Sequence, residues 1–434
     1  MREMKDSGIE WIGEIPMDWG ITKLKHIIRF PLQYGANEPG IEYSNELPRY
    51  IRITDITADN RLKEEGKLSL GEETAKPYLL CDFDILFARS GSVGKTFLYK
   101  EEYGKAAFAG YLIRAAINSE MAIPKYVYYT TLGQNYDAWK KSIFVQVTIQ
   151  NISADKYSNY VFACPSLSEQ QRIVDLLDVK CAEIDKILFK TRASIEEYRK
   201  LKQAVITQAV TKGVRGDREM KDSGIEWIGE IPIEWNQCKL KNVSVRIGDG
   251  LHGTPEFDDS GDAYFVNGNN IGEKFLEIKS DTKRLSIDEL EKYPSPDLNN
   301  NTIMITLNGA TYGKVSLYKS YPVLLGKSAG YITLIETVCR EYIRYYLMSS
   351  TSKLLMLLSL NGTTIQNLSL TTLNNFPTLL PSIGEQQEIV HYLDAKVDEI
   401  DAIIMKKGQC LIELESYKKS LIYEYVTGKK EVPQ

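Results

Sequence analysis

Residues 2–19 read REMKDSGIEWIGEIPMDW and residues 218–235 read REMKDSGIEWIGEIPIEW, sixteen identical positions of eighteen at an offset of 216. A period that long is no solenoid repeat. In a chain of 434 residues it predicts one complete unit written twice, two domains of similar build. The same offset carries Thr148-Ile149-Gln150-Asn151-Ile152-Ser153 onto Thr364-Ile365-Gln366-Asn367-Leu368-Ser369. It also carries Glu169-Gln170-Gln171 onto Glu385-Gln386-Gln387, and Val210-Thr211 onto Val426-Thr427. Between these stretches, over residues 30–145 and 246–360, the copies diverge: YIRITDI at 50–56 stands against YFVNGNNI at 264–271. A shared frame around two different interiors suggests two readers of different targets.

The second constraint is a pair of long helices. Pro165 and Pro381 each precede a Ser-x-x-Glu sequence, Ser166 to Glu169 and Ser382 to Glu385, which has the form of a capping box. Leu177, Ile184, Tyr198 and Val205 then fall on one seven-residue track, with Leu188 and Ile195 four residues after two of its positions. Leu393, Ile400, Leu414 and Leu421, with Val397, Ile404 and Leu411, repeat it. Such a stripe is a coiled-coil seam and cannot face water alone. The economical partner for each helix is the other one, and a second copy of the chain is the alternative. Lys202, Lys407 and Lys418 interrupt the stripes and are candidates for setting register. The resulting division is a first α/β domain at 1–165 and a first long helix at 166–216. A second α/β domain spans 217–381 and a second helix 382–434.

The stretch RSGSVGKT at 89–96 resembles a phosphate-binding loop, but the position six before its lysine holds Arg89 where that loop needs glycine. The loop also needs a helix directly after the lysine. Here DILFA precedes and TFLY succeeds it, two strand-like runs, so the expectation is a hairpin turn. In the second copy NGATYGK at 308–314 keeps the glycine–lysine outline, but Val315 replaces the hydroxyl after lysine.

Composition excludes several classes of chemistry. The six cysteines lie far apart with no CxxC pair, and there are three histidines, so disulfides, zinc and His-based triads are poorly supplied. With no apolar run of membrane-span length and no apolar h-region at the start, the chain is expected to be cytoplasmic. No Pro-Pro dipeptide exists to build an adenine-methyltransferase pocket. The formal net charge of −5 offers no strong stand-alone grip on DNA.

Taken together, WIGEIP with Trp19, the ARSGSVGK hairpin, TIQNIS and PSLSEQQRIV at a helix start, all in duplicate, resemble the specificity subunit of type I restriction-modification systems. GDGLHGTP at 248–255 is similar to a motif frequent in that family's target recognition domains. The resemblance implies two α/β target recognition domains, each reading half of a split, asymmetric DNA sequence. It implies two antiparallel helices that hold the domains apart and set the spacer. Modification subunits would methylate adenine with S-adenosylmethionine, and restriction subunits would translocate and cut DNA with ATP and magnesium. The chain itself is then a non-catalytic reader with no cofactor or metal of its own. Its partners could supply much of the phosphate-neutralising surface. A coiled-coil scaffold without DNA readout and the specificity half of a fused modifying enzyme are the competing readings, and two diversified interiors argue against a mere spacer.

Base-edge readout favours Arg and Lys on guanine and Asn and Gln on adenine. On that chemistry the candidates in the first domain are Arg49, Arg52, Arg89, Ser92, Lys95 and Gln150. In the second they are His252, Thr254, Asn267, Asn269, Asn308, Tyr312, Lys314 and Gln366. Gln150 and Gln366 occur in both copies, so they are expected to serve the frame or a phosphate rather than to distinguish bases.

Overall fold

In a computed structural model the described residues are 2–57, 59–144, 151–293, 298–359 and 367–433. The chain divides into two compact units, Met1–Arg192 with Gln409–Gln434, and Ala193–Gly408. Each unit therefore holds one α/β domain, one end of the first long helix, Leu167–Lys212, and one end of the second, Ile383–Val426.

In the first unit an antiparallel sheet runs in the order Gln33–Tyr34, Leu112–Ala115, Ile85–Ala88, Thr96–Leu98. Its central strands, LIRA and ILFA, are buried at every residue, which is why they read as continuous runs rather than alternating ones. A second sheet takes the order Ala106–Phe108, Arg49–Ile51, Leu68–Ser69, Ile41–Glu42, and its first pair is parallel. The second unit repeats this plan. Ser244–Asp249, Ala329–Leu334, Thr302–Thr306 and Val315–Leu317 form the antiparallel sheet, and Arg284–Leu285, Ala263–Val266 and Val323–Leu325 form the other. The α/β expectation holds, with sheets that are mostly antiparallel.

The repeated sequence turns out to be a set of polar clamps on the helix ends. Glu169 accepts from Arg2 at 2.6 Å and from the Trp19 indole N–H at 3.0 Å, while Arg2 also lies over the Trp19 ring. Glu385 is gripped in the same way by Arg218, whose guanidinium lies over Trp235. The expected capping boxes are therefore only half formed. Each glutamate N–H donates to its serine at 3.4 Å, but the carboxylate that would close the box is drawn to arginine instead. A charge-assisted bond to a partly buried guanidinium outcompetes a neutral bond to an exposed backbone N–H.

The next residue in each motif is buried outright. Gln170 accepts from the Ile123 N–H at 2.8 Å and donates to the Pro165 carbonyl at 2.9 Å, and Gln386 does the same for Cys339 and Pro381 at 2.9 Å each. Tyr129 donates to Asp178 at 2.7 Å, and Tyr345 to Asp394 at 2.6 Å. These contacts fasten each domain to the start of a helix. The end of the other helix docks beside it, with Lys429 donating to the Ile12 carbonyl at 2.6 Å and Lys212 to the Glu230 carbonyl.

Within each unit the two helix segments run antiparallel, as their pairings require. Asp185 meets Lys418 at 2.6 Å and Arg192 meets Glu415 at 2.6 Å in the first unit; Lys202 meets Asp401 at 2.6 Å in the second. Leu177, Ile184, Leu188, Ile195, Leu393, Val397, Ile400 and Leu421 of the predicted seam are buried. The three lysines that interrupt the stripes are all satisfied, two by aspartates and Lys407 over the Tyr198 ring. The Lys–Asp pairs are the same two positions in each copy, since Lys202 and Asp185 become Lys418 and Asp401 at the 216 offset.

Candidate nucleic-acid interface

The glycine–lysine stretch is a hairpin in both units. Phe87 pairs with Thr96 and Ile85 with Leu98 across it, and Ile305 pairs with Val315 in the second copy. The Gly94 N–H donates back to the Ala88 carbonyl and the Gly313 N–H to Thr306, with Gly94 at φ +78° and Gly313 at φ +75°. Only glycine takes that left-handed backbone without strain, so the glycines serve the turn. The strand Thr96–Leu98 begins directly after Lys95, so no helix N-terminus faces a phosphate there. The Lys95 ammonium donates to the Ile56 carbonyl at 2.7 Å, and burial together with the neighbouring Lys63 pushes its pKa below the usual lysine value. Lys95→Ala is expected to cost about 1 kcal/mol of stability for the lost bond and to change no nucleotide affinity. Saturable ATP binding to the purified chain, lost in that variant, would contradict this.

The base of each hairpin explains a second shared motif. The Ile152 N–H donates to the Arg89 carbonyl at 3.0 Å, and the Leu368 N–H to the Leu307 carbonyl at 2.8 Å. The Thr-Ile-Gln-Asn stretches thus lead into segments that brace the hairpins. Gln150 and Gln366 themselves lie outside the described residues.

The remaining candidates separate by exposure. Arg49 is 7% exposed, on a buried strand, with its guanidinium on Glu64 at 3.3 Å and on the Lys63 carbonyl. Arg52 is held by Asp55 at 2.7 Å and by the Gly66 carbonyl at 2.8 Å. Both tie this inner strand to the loop at residues 63–66. Arg89 is half-buried with its guanidinium over the Tyr34 ring, and Ser92 is exposed at the tip.

In the second unit His252, Thr254, Asn269 and Lys314 are exposed, and His252 sits 2.8 Å from Asp249. Asn267 is half-buried, accepting from the Ser328 hydroxyl at 3.3 Å. Asn308 is half-buried and bridges to Asn367, and Tyr312 packs its ring on the core.

Two further residues stand beside the hairpins. Tyr111, 63% exposed, accepts at its carbonyl from the Arg89 N–H at 3.0 Å. Ser328 stands at the same place in the second copy, its carbonyl taking the Leu307 N–H, and the exposed Lys327 precedes it on the same turn. The 216 offset from Tyr111 falls on Lys327, one residue short of Ser328, so in the sequence it marks this turn but not the matching residue.

So each unit presents a rigid hairpin and a neighbouring turn on a common frame, with different side chains at equivalent places. Residues 32–197 and 232–414 match the family model of the type I restriction modification DNA specificity domain. The chain belongs to the type I restriction-modification DNA specificity family. It is 26% identical to the type I restriction enzyme MjaVIII specificity subunit of Methanocaldococcus jannaschii, covering 96% of this chain and 94% of that one. The putative MjaX specificity subunit of the same organism is also 26% identical, over 97% and 96% of the two chains. Among solved structures, a chain described in work on complex assembly and conformational transition of the type I R-M system superimposes with a TM-score of 0.71. It is 15% identical and covers 96% of this chain and 99% of its own length, a likeness of fold. Among the described residues no cluster of His, Cys, Asp and Glu could hold a metal ion, and no helix is long and apolar enough to cross a membrane.

Proposed function

We propose that this specificity-family chain is the DNA-reading subunit of a type I restriction-modification complex. It recognises a bipartite, asymmetric target and directs modification and restriction subunits to it. The observation that carries this reading is the distribution of difference between the two copies. Clamp residues such as Gln170 and Gln386 are kept in kind and in contact, while the hairpin surroundings change from Arg89, Ser92 and Tyr111 to Leu307, Thr311 and Ser328. Two spacers would have no reason to differ there.

Direct readers in this proposal are the exposed or half-exposed Arg89, Ser92, Tyr111, His252, Thr254, Asn269, Lys314 and Lys327. Arg49, Arg52, Lys95, Asn267 and Tyr312 support them, because their side chains already have partners inside the domain or pack against its core, and Asn308 does so through its backbone bridge to Asn367. Partner subunits supply the S-adenosylmethionine, ATP and magnesium chemistry, and the complex acts in the cytoplasm. The acidic net charge fits a reader whose partners neutralise most DNA phosphates. Co-expression with a modification subunit, combined with genome-wide mapping of methylated adenine, tests the proposal. A bipartite motif with a constant gap is expected; methylation without one sinks it.

A further inference from the structure

The second unit contains a crevice of about 320 Å³ walled by the hairpin at Gly313–Lys314, the helix Arg340–Met348, Lys353, and the helix segments at 199–206 and 397–401. Its charges are unbalanced. Arg199, Lys202, Lys274, Lys314, Arg344 and Lys353 line it, against Glu273, Asp398 and Asp401. Lys202 is matched by Asp401 at 2.6 Å, Lys274 lies 3.6 Å from Asp394, and Arg199 holds Glu196 at 2.5 Å.

The other three cations have no carboxylate partner among the described residues. Lys353 donates to the neutral Gln203 Oε1 at 2.6 Å, and Lys314 is exposed on the hairpin. Arg344, only 6% exposed, gives one N–H to the Glu273 main-chain carbonyl and leaves its Nε–H without a partner. An unmatched buried guanidinium N–H is costly unless something accepts from it. Burial lowers the pKa of Arg344, and burial with the adjacent Lys202 lowers that of Lys353, so both cations want an anion nearby.

The first unit shows what a closed version looks like. At the place of Lys353 it has Asp137, which pairs with Lys140 at 2.8 Å and with Lys419 at 2.7 Å, and Lys419 stands where Gln203 does. There a single carboxylate serves both lysines inside the protein. In the second unit the acid has become Lys353, and its two lysine partners are replaced by Met356 and Gln203, so the cation left there has no carboxylate beside it. A frame that keeps the Lys–Asp helix pair in both copies but removes this one only from the second has opened a site there.

We propose that this crevice binds a small phosphorylated molecule, a phosphate or diphosphate group accepting from Arg344, Lys353 and Lys314. The volume suits such a group, at the small end of ligand pockets. The wall position of Arg344, behind the hairpin rather than on its tip, favours a free anion over a duplex backbone. Lys314 is shared with the DNA reading proposed above, whereas Arg344 and Lys353 belong to the crevice alone.

The test is titration calorimetry of the full chain with sodium pyrophosphate at constant ionic strength. Saturable binding is expected for the natural chain. The double variant Lys353→Asp/Gln203→Lys installs the ion pair of the first unit and should weaken binding about tenfold or more, the loss expected when a charge-assisted contact goes. Should that variant misfold, Lys314→Gln, an exposed change, is expected to weaken binding on its own. Absence of saturable binding to the natural chain, or equal binding by the folded variants, overturns the proposal. So does a result in which the variants lose affinity for duplex DNA while pyrophosphate never binds, since the crevice would then hold a DNA backbone phosphate.

Discussion

Replacing residues 20–165 with this chain's own residues 236–381 is expected to remove one half of the DNA target and to duplicate the other. The joints make the exchange feasible. Gly20 is paired with Cys164 on adjacent antiparallel strands, and Asn236 with Leu380, so each interior leaves the frame and returns to it at one place. The incoming segment also brings the groups that the frame requires except one: Lys353 would face Lys419 where Asp137 stood, so the exchange carries Lys353→Asp as well. Tyr342 and Tyr345 stand for Tyr126 and Tyr129, and the Cys339 N–H stands for that of Ile123. The helix residues that receive them, Asp178 and Gln170, are the same types as Asp394 and Gln386. Nothing in the retained frame is specific to the first interior's hairpin side chains. Base contacts carry sequence information whereas frame and phosphate contacts position it, so readout should travel with the interior. Methylation mapping of the complex formed by this variant reads the outcome. If the half-site of the untouched domain also changes, the two readers are coupled and modularity fails.

The architecture was legible because two of its causes are periodic. A 216-residue offset and a seven-residue apolar stripe survive local variation, and of the thirteen seam residues predicted between Leu177 and Leu421 eight are buried and five half-buried. The hairpin was legible because glycines in left-handed turns between β-branched runs have few other uses. The candidate site was less so. Arg49 lies in PRYIRI, where nothing local says that its strand is covered on both faces. Glu169 has the spacing of a capping box, yet its carboxylate goes to Arg2, 167 residues away, and only the fold creates that choice. The exchange of Asp137 for Lys353 was open to inspection at the offset, but its meaning depends on Lys419 and Gln203 coming from the far end of each helix pair.

Arg218→Ala is expected to cost about 3–5 kcal/mol of stability, the range for removing one partner of a buried ion pair. Glu385 has a side chain 4% exposed and Arg218 10% exposed, so the carboxylate left behind cannot regain water without moving the helix start. The site is also closed from above: a Cβ added to Gly213 would meet the Arg218 guanidinium at 2.6 Å and Glu385 Oε1 at 3.0 Å. Nor is a second donor in place. The Trp235 indole N–H has no hydrogen-bond partner, whereas its counterpart Trp19 donates to Glu169 at 3.0 Å. Arg2→Ala should therefore be milder, because Glu169 keeps that bond and Arg2 is itself more exposed, at 24%. The cause can be separated from lost packing by adding Glu385→Gln to Arg218→Ala. If the uncompensated charge dominates, the double variant is more stable than Arg218→Ala alone, although it carries one more substitution. Urea unfolding of the four proteins gives the comparison. An Arg218→Ala loss near or below 1 kcal/mol, or a double variant less stable than the single one, would mean that Arg218 acts through its contact with the Trp235 ring and not through the carboxylate.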